Sequence, residues 1–150
     1  MYSREEAKLL KQEFWITFGQ WSLKKRKSQG KGKWLLNKTG VKGFRFKFEA
    51  EKKSLAVCLE IIDSDETVRA IKYEKLLMLK PLFDETMDYA LIWDQHYFLT
   101  PDKTVCRVYF QKQGLTLNNR QHWPDIFAFF YQSMSMMESL FEEYKEILDE

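Results

Sequence analysis

Cysteine, histidine and proline are scarce in this chain of 150 residues, at two, two and three copies. Cys58 and Cys106 are too few for a disulfide-held secreted scaffold, and no C-x-x-C pair is present, which excludes the common structural zinc sites. Both cysteines fall in apolar, strand-like runs, VCLEII and VCRVYF. There a cysteine behaves as a small buried hydrophobe. A reactive thiolate needs an electropositive, exposed niche. Arg107 adjoins Cys106, but neighbours along a strand point to opposite faces.

His96 and His122 are not spaced to hold a metal from one helix face. His96 sits in WDQHYF, read as a strand end, and His122 precedes Trp123-Pro124, read as a helix start. Surface or capping roles suit both. Long apolar runs are also missing. None approaches the ~18–20 residues of a membrane span. The opening stretch MYSREEAKLLKQEF is charged and lacks an apolar signal core. Secretion and membrane insertion are disfavoured, and a cytoplasmic location is expected.

Catalytic and cofactor motifs are missing as well. The sequence has no GxxxxGK[ST], no GxGxxG and no GxSxG. Glu51-Lys52-Lys53 fits the E-x-K of metal nucleases, but it lies in a turn with no acidic strand residue suitably placed before it. Asp125 with Glu143 and Lys145 also fits, but all three fall on one helix. No catalytic residue, metal ligand or cofactor is assigned.

What is present is a globular composition. Hydrophobic residues make up 45% and charged residues 31%, and the 16% aromatic share includes 12 phenylalanines. The length suits a single domain, taken here as residues 1–150. Ser3 and Glu6 form an S-x-x-E capping box. Ala7, Leu10, Phe14, Phe18 and Trp21 then recur at helical spacing, which predicts a helix from about Arg4 to about Leu23. KKRKSQGKGKW reads as a loop.

In GFRFKFEA, Phe44, Phe46 and Phe48 alternate with Arg45, Lys47 and Glu49, the pattern of a half-buried strand. The turn EKKS joins it to a second strand with Leu55, Val57, Leu59 and Ile61 on one face. Glu60 then points off the hydrophobic face, and Asp63 opens the next helix. Solvent-facing or capping roles are expected of them. That helix carries Val68, Ile71, Leu76, Leu79 and Phe83, with Pro81 closing or kinking its last turn.

YALIWDQHYF and KTVCRVYFQK flank a turn at Thr100-Pro101-Asp102, with Cys106, Val108 and Phe110 on one face. Val57-Cys58 and Val105-Cys106 hint at an internal duplication. After the loop GLTLNNRQH, Pro124 suits the first turn of a long helix. Trp123, Phe127, Phe130, Met134, Met137, Phe141, Tyr144 and Leu148 form its apolar stripe. The expected fold is α+β, in the order α-β-β-α-β-β-α. Two hairpins share a four-stranded antiparallel sheet packed by helices.

Charge divides the chain unevenly. Residues 1–53 hold 15 Lys and Arg against 5 Asp and Glu, a net of +10. The remainder holds 9 against 17, a net of −8, so the sum is the chain's +2. Residues 24–47 carry ten basic side chains and no acid: Lys24, Lys25, Arg26, Lys27, Lys31, Lys33, Lys38, Lys42, Arg45 and Lys47. These cations, with Trp34 as a base-stacking ring, are the candidate site for nucleic acid or another polyanion. The competing reading pairs the basic segment with the chain's own acidic terminal helix.

Several phrases taken together also carry a resemblance. They are MYSREEAKLLKQEFW, WLLNKTGVKGFRFKF, LAVCLEI, YEKLLMLKPLF, CRVYF and WPDIFAFFYQSM. With these the chain resembles domain-of-unknown-function family 4268, a set of bacterial proteins frequent in Bacteroidetes-type genomes, over essentially its full length. The resemblance implies no established activity and no agreed catalytic residues. Related domains stand behind nuclease-like domains in larger proteins, which suggests by analogy a role near DNA restriction or repair. The most recognisable stretch spans Trp34, Lys38, Thr39, Gly40, Lys42, Gly43, Phe44 and Phe46. It leaves Trp34, Lys38, Lys42 and Arg45 as surface candidates.

The function expected first is a non-enzymatic binding domain for an anionic partner. The second is a protein-interaction or homodimer module using the aromatic and Met-rich terminal helix. The third, an enzyme of unrecognised type, requires a cleft where His96, His122 or an acid pair converges.

Overall fold

A computed structural model of the chain describes residues 2–87 and 90–150. Helix α1 (Arg4–Ser28) begins where expected, with the Ser3 side chain accepting a hydrogen bond from the Glu6 amide. It runs one turn and more beyond Leu23, so Lys24 to Ser28 are helical rather than loop. The dipole explains the difference. Lys25, Arg26 and Lys27 occupy the last turn, where the negative end of a helix favours cations.

The hairpin of β1 (Phe44–Glu51) and β2 (Ser54–Ile61) turns through Lys52 and Lys53. Lys52 lies in the left-handed region at φ 55°. Helix α2 (Glu66–Met78) and the short α3 (Lys80–Thr86) follow. Pro81 stands in the first turn of α3 and marks the break between them. The second hairpin joins β3 (Ile92–Thr100) to β4 (Lys103–Gln113). Tyr89, where the sequence pattern starts that strand, lies outside the described residues. A 3-10 turn at Arg120–His122 leads into α4 (Trp123–Leu148).

The strands form one antiparallel sheet in the order β1-β2-β4-β3, so β1 and β3 are its edges. The fold is the expected α+β arrangement. Register puts Phe44, Phe46 and Phe48 beside Ile61, Leu59 and Val57, and these beside Cys106, Val108 and Phe110. This face meets the helices, as the Phe141 ring on Phe44 and Phe46 and the Phe130 ring on Phe48 show.

Phe14 and Phe18 of α1 wedge against Phe127 and Phe130 of α4. Each ring so buried contributes roughly 1.5–3 kcal/mol. The stripe of α4 is spent in this core: Phe130, Met134, Met137 and Phe141 are fully buried.

Three sequence expectations change. On α2, Val68 and Ile71 are exposed, while Arg69, Tyr73 and Leu76 are buried. The Arg69 guanidinium turns back to the carbonyls of Asp63 and Ser64, which satisfies its charge beneath the chain. Asp65 rather than Asp63 caps α2, accepting from the Val68 amide. The Asp63 carboxylate instead holds Lys72 at 2.8 Å. Glu60 is not solvent-facing but fully buried.

Candidate anion-binding surface

The basic segment does not form one patch. Arg26, Trp34 and Arg45 are engaged within the protein. Arg26 is buried, with its guanidinium 3.0 Å from Glu138 of α4 and its Nε donating to the Gly32 carbonyl. It also lies over the Trp34 ring at 4.6 Å. Trp34 packs in turn against Phe18, Phe48 and Tyr131. These interactions fasten the connection after α1 to α1 and α4. The basic segment therefore does reach the acidic helix, by the Arg26–Glu138 ion pair. Lys24, Lys25 and Lys27 are exposed, with Lys25 lying over the Trp21 and Tyr131 rings. Lys42 is exposed near Lys72 and Lys75, in a separate hollow beside Leu148.

Arg45 belongs to an ionic layer on the sheet face opposite the helices. Cross-strand register aligns Arg45, Glu60, Arg107 and Asp94 in one row. The Glu60 carboxylate takes Arg45 at 2.7 Å and Arg107 at 2.6 Å. Arg107 also reaches Glu49 at 3.1 Å, and the Tyr97 ring covers its guanidinium at 3.7 Å. Burial works to raise the Glu49 carboxyl. Hydrogen bonding and attraction from Arg107, aided by Lys47, outweigh it and hold Glu49 below the usual carboxylate range. The Arg107 guanidinium is raised above its ordinary value despite burial, by the acidic groups around it. Cys58 shares this layer, and burial pushes its thiol up to about 12. On β4, burial pushes Cys106 up to about 11. Neither thiol is a nucleophile at neutral pH.

The edge of β1 gathers cations that the sequence keeps apart. Three hollows follow it. The first, of about 780 Å³, is lined by Arg26, Lys31, Lys33 and Lys38, with Glu138 and Glu142 on its α4 wall. The second, of about 370 Å³, is lined by Trp15, Leu36, Asn37, Arg45, Phe46, Lys47 and Phe48. The third, of about 320 Å³, has Arg4, Lys8 and Lys11 of α1 facing Lys52 of the hairpin turn, with Glu51 beside them.

Phe46 belongs to the first and second hollows. Phe48 and then Ala50 carry the strand on into the third. At about 3.3 Å per residue, β1 extends over roughly 25 Å. Among the described residues, Lys31, Lys33, Lys38, Arg4, Lys8, Lys11 and Lys52 make no ion pair.

Sequence reading missed the third hollow because its cations come from two segments some forty positions apart. Lys8 and Lys11 also look like an ordinary solvated helix face. The histidines stand in separate elements, His96 in β3 and His122 in the 3-10 turn before α4. His122 accepts from the Thr116 amide through Nδ1. His96 lies within β3, where its pairing with β4 shifts register, beside Glu66 and Arg69. Among the described residues no helix is long and apolar enough to cross a membrane.

No curated protein matches the chain, and no solved structure matches it. A family profile does, over residues 10–145, which takes in the body of α1, the whole sheet and most of α4. The chain thus belongs to the family described as a domain of unknown function, DUF4268.

Proposed function

We propose that this domain is a non-enzymatic, intracellular binder of nucleic acid, held by its phosphates along the β1 edge. The carrying observation is the line of cations there that form no ion pair among the described residues, Lys31, Lys33 and Lys38 at one end and Arg4, Lys8, Lys11 and Lys52 at the other, which outnumber Glu138, Glu142 and Glu51 on the same walls. A cation without an ion-pair partner keeps more of its attraction for an external anion than a paired one. A row of them along a groove follows a polymer of phosphates better than a single small anion.

The two free, buried thiols suit a reducing compartment. Of the sequence candidates, Lys31, Lys33, Lys38 and Lys47 line this edge. Arg26 and Arg45 line its walls, Trp34 packs under Arg26 and against Phe48 without lining a hollow, and Lys24, Lys25, Lys27 and Lys42 lie outside the hollows along it. The Met and aromatic stripe that a protein-interaction reading would use is inside the molecule.

The test is fluorescence anisotropy of labelled oligonucleotides titrated with the full chain at ~50 and ~200 mM salt. Binding that falls steeply between the two supports the reading. No binding at the lower salt removes it.

A further inference from the structure

The middle hollow differs from its neighbours. Its floor is apolar, made by Trp15, Leu36, Phe46 and Phe48, while Arg45 and Lys47 stand at its wall. Trp15 is part-buried, with one indole face nearly parallel to Phe130 at 5.8 Å. Phe14, Phe18 and Phe48 also contact the ring, and the part of it that lines the hollow is what a flat ligand would meet.

The backbone there is open at Phe48. The Phe46 amide donates to the Leu36 carbonyl, pointing away from β2. Antiparallel alternation turns the Phe48 amide and carbonyl the same way, at an edge with no further strand. The hollow thus combines an aromatic wall with a backbone donor and acceptor, and it lies between two clusters of unpaired cations.

We infer that the Trp15–Phe48 hollow receives an unpaired nucleobase, so that the β1 edge takes single-stranded rather than duplex nucleic acid. This rests on the polyanion reading above and adds the strand type and the residue that selects it. A duplex keeps its bases stacked inside and can offer the groove only phosphate. A single strand can lay phosphates on the flanking lysines and turn one base into the hollow. An extended peptide added to the β1 edge would use the same backbone groups. The cations at both ends of the edge favour the nucleic acid.

The experiment compares four labelled or competing probes on the wild-type protein at one salt concentration. They are a single-stranded oligonucleotide, its duplex, the same strand with abasic sites, and inorganic polyphosphate. The expected result is single-strand affinity roughly tenfold or more above the abasic strand, the scale of one stacked base. Trp15→Leu should bring the intact strand down to the abasic level while leaving the salt dependence unchanged. Trp15→Phe, which keeps a ring, should recover part of the loss. Because the abasic comparison needs no variant, the inference stays testable if Trp15→Leu fails to fold. Equal binding of all four probes overturns the base hollow and leaves the polyanion reading standing. Binding of none overturns both.

Discussion

Arg107 of β4 and Glu60 of β2 stand directly opposite one another and form an ion pair of 2.6 Å, their side chains 1% and 0% exposed. Tyr97, Arg45 and Glu49 close around this pair. The protein thus keeps a buried ionic layer on the side of the sheet that faces away from its apolar core.

Removing one member of such a pair leaves an uncompensated buried charge. Arg107→Met is expected to cost about 3–5 kcal/mol, since Glu60 and Glu49 both lose a partner. Glu60→Gln should cost less, because buried Arg107 keeps Glu49 and part-exposed Arg45 can turn to water. Urea denaturation measures both. A loss below about 1 kcal/mol for Arg107→Met would place the pair among exposed bridges in its energetics.

The same layer sets an acid limit. Glu49 has its folded-state carboxyl held below the unfolded value, so its ionised form stabilises the protein. That contribution is present above the unfolded value of about 4.3 and is lost as pH falls through the lower folded value. Glu49→Gln should therefore lower the melting temperature at pH 7, and the gap between variant and wild type should close in acid. A gap that persists unchanged to pH 2 would assign the stability to packing alone.

The cysteines give a third expectation. With Cys58 at about 12 and Cys106 at about 11, both thiols are protonated and buried at pH 8. Iodoacetamide at that pH should label neither in the folded chain and both after unfolding. Rapid labelling of the native protein would contradict their burial.

Gly43 carries a fourth. Its φ is +87°, and a Cβ there would run into the Asp63 carboxylate and the Lys72 ammonium. Gly30 has φ +76° but open space around it. Gly30→Ala should cost only the backbone strain, on the order of 1 kcal/mol. Gly43→Ala should cost more, by also parting Asp63 from Lys72. Equal thermal shifts for the two would show that the crowding relaxes freely.

Alternation and helical spacing carried most of the fold in the sequence. Phe44-Arg45-Phe46-Lys47-Phe48 reads as one buried and one polar face, and α4 reads as a broad apolar stripe. What was hidden depends on register between distant segments. The two-residue turn at Lys52-Lys53 does place Arg45 opposite Glu60, so half of the ionic layer was within reach. Arg107 joins only once β4 pairs with β2.

Val57-Cys58 and Val105-Cys106 look alike as letters, yet Cys58 lies with the ionic layer and Cys106 with the apolar core. On α2 the spacing of Val68 and Ile71 suggested a buried face, and Arg69 took that place because nearby carbonyls satisfy it. The candidate basic segment was legible as charge but not as surface. Arg26 and Arg45 spend their charge on Glu138 and Glu60.

The most direct measurement is the salt dependence of oligonucleotide binding for wild type against a variant with Lys8, Lys11, Lys31, Lys33 and Lys38 changed to glutamine. All five side chains are exposed and make no ion pair among the described residues, so the fold should persist. The account predicts tight, steeply salt-dependent binding for wild type. The variant's logarithmic slope should be shallower by roughly 0.7 for each single-strand phosphate that it no longer neutralises. Wild-type binding with the same slope in the variant, or no binding by either, would contradict it.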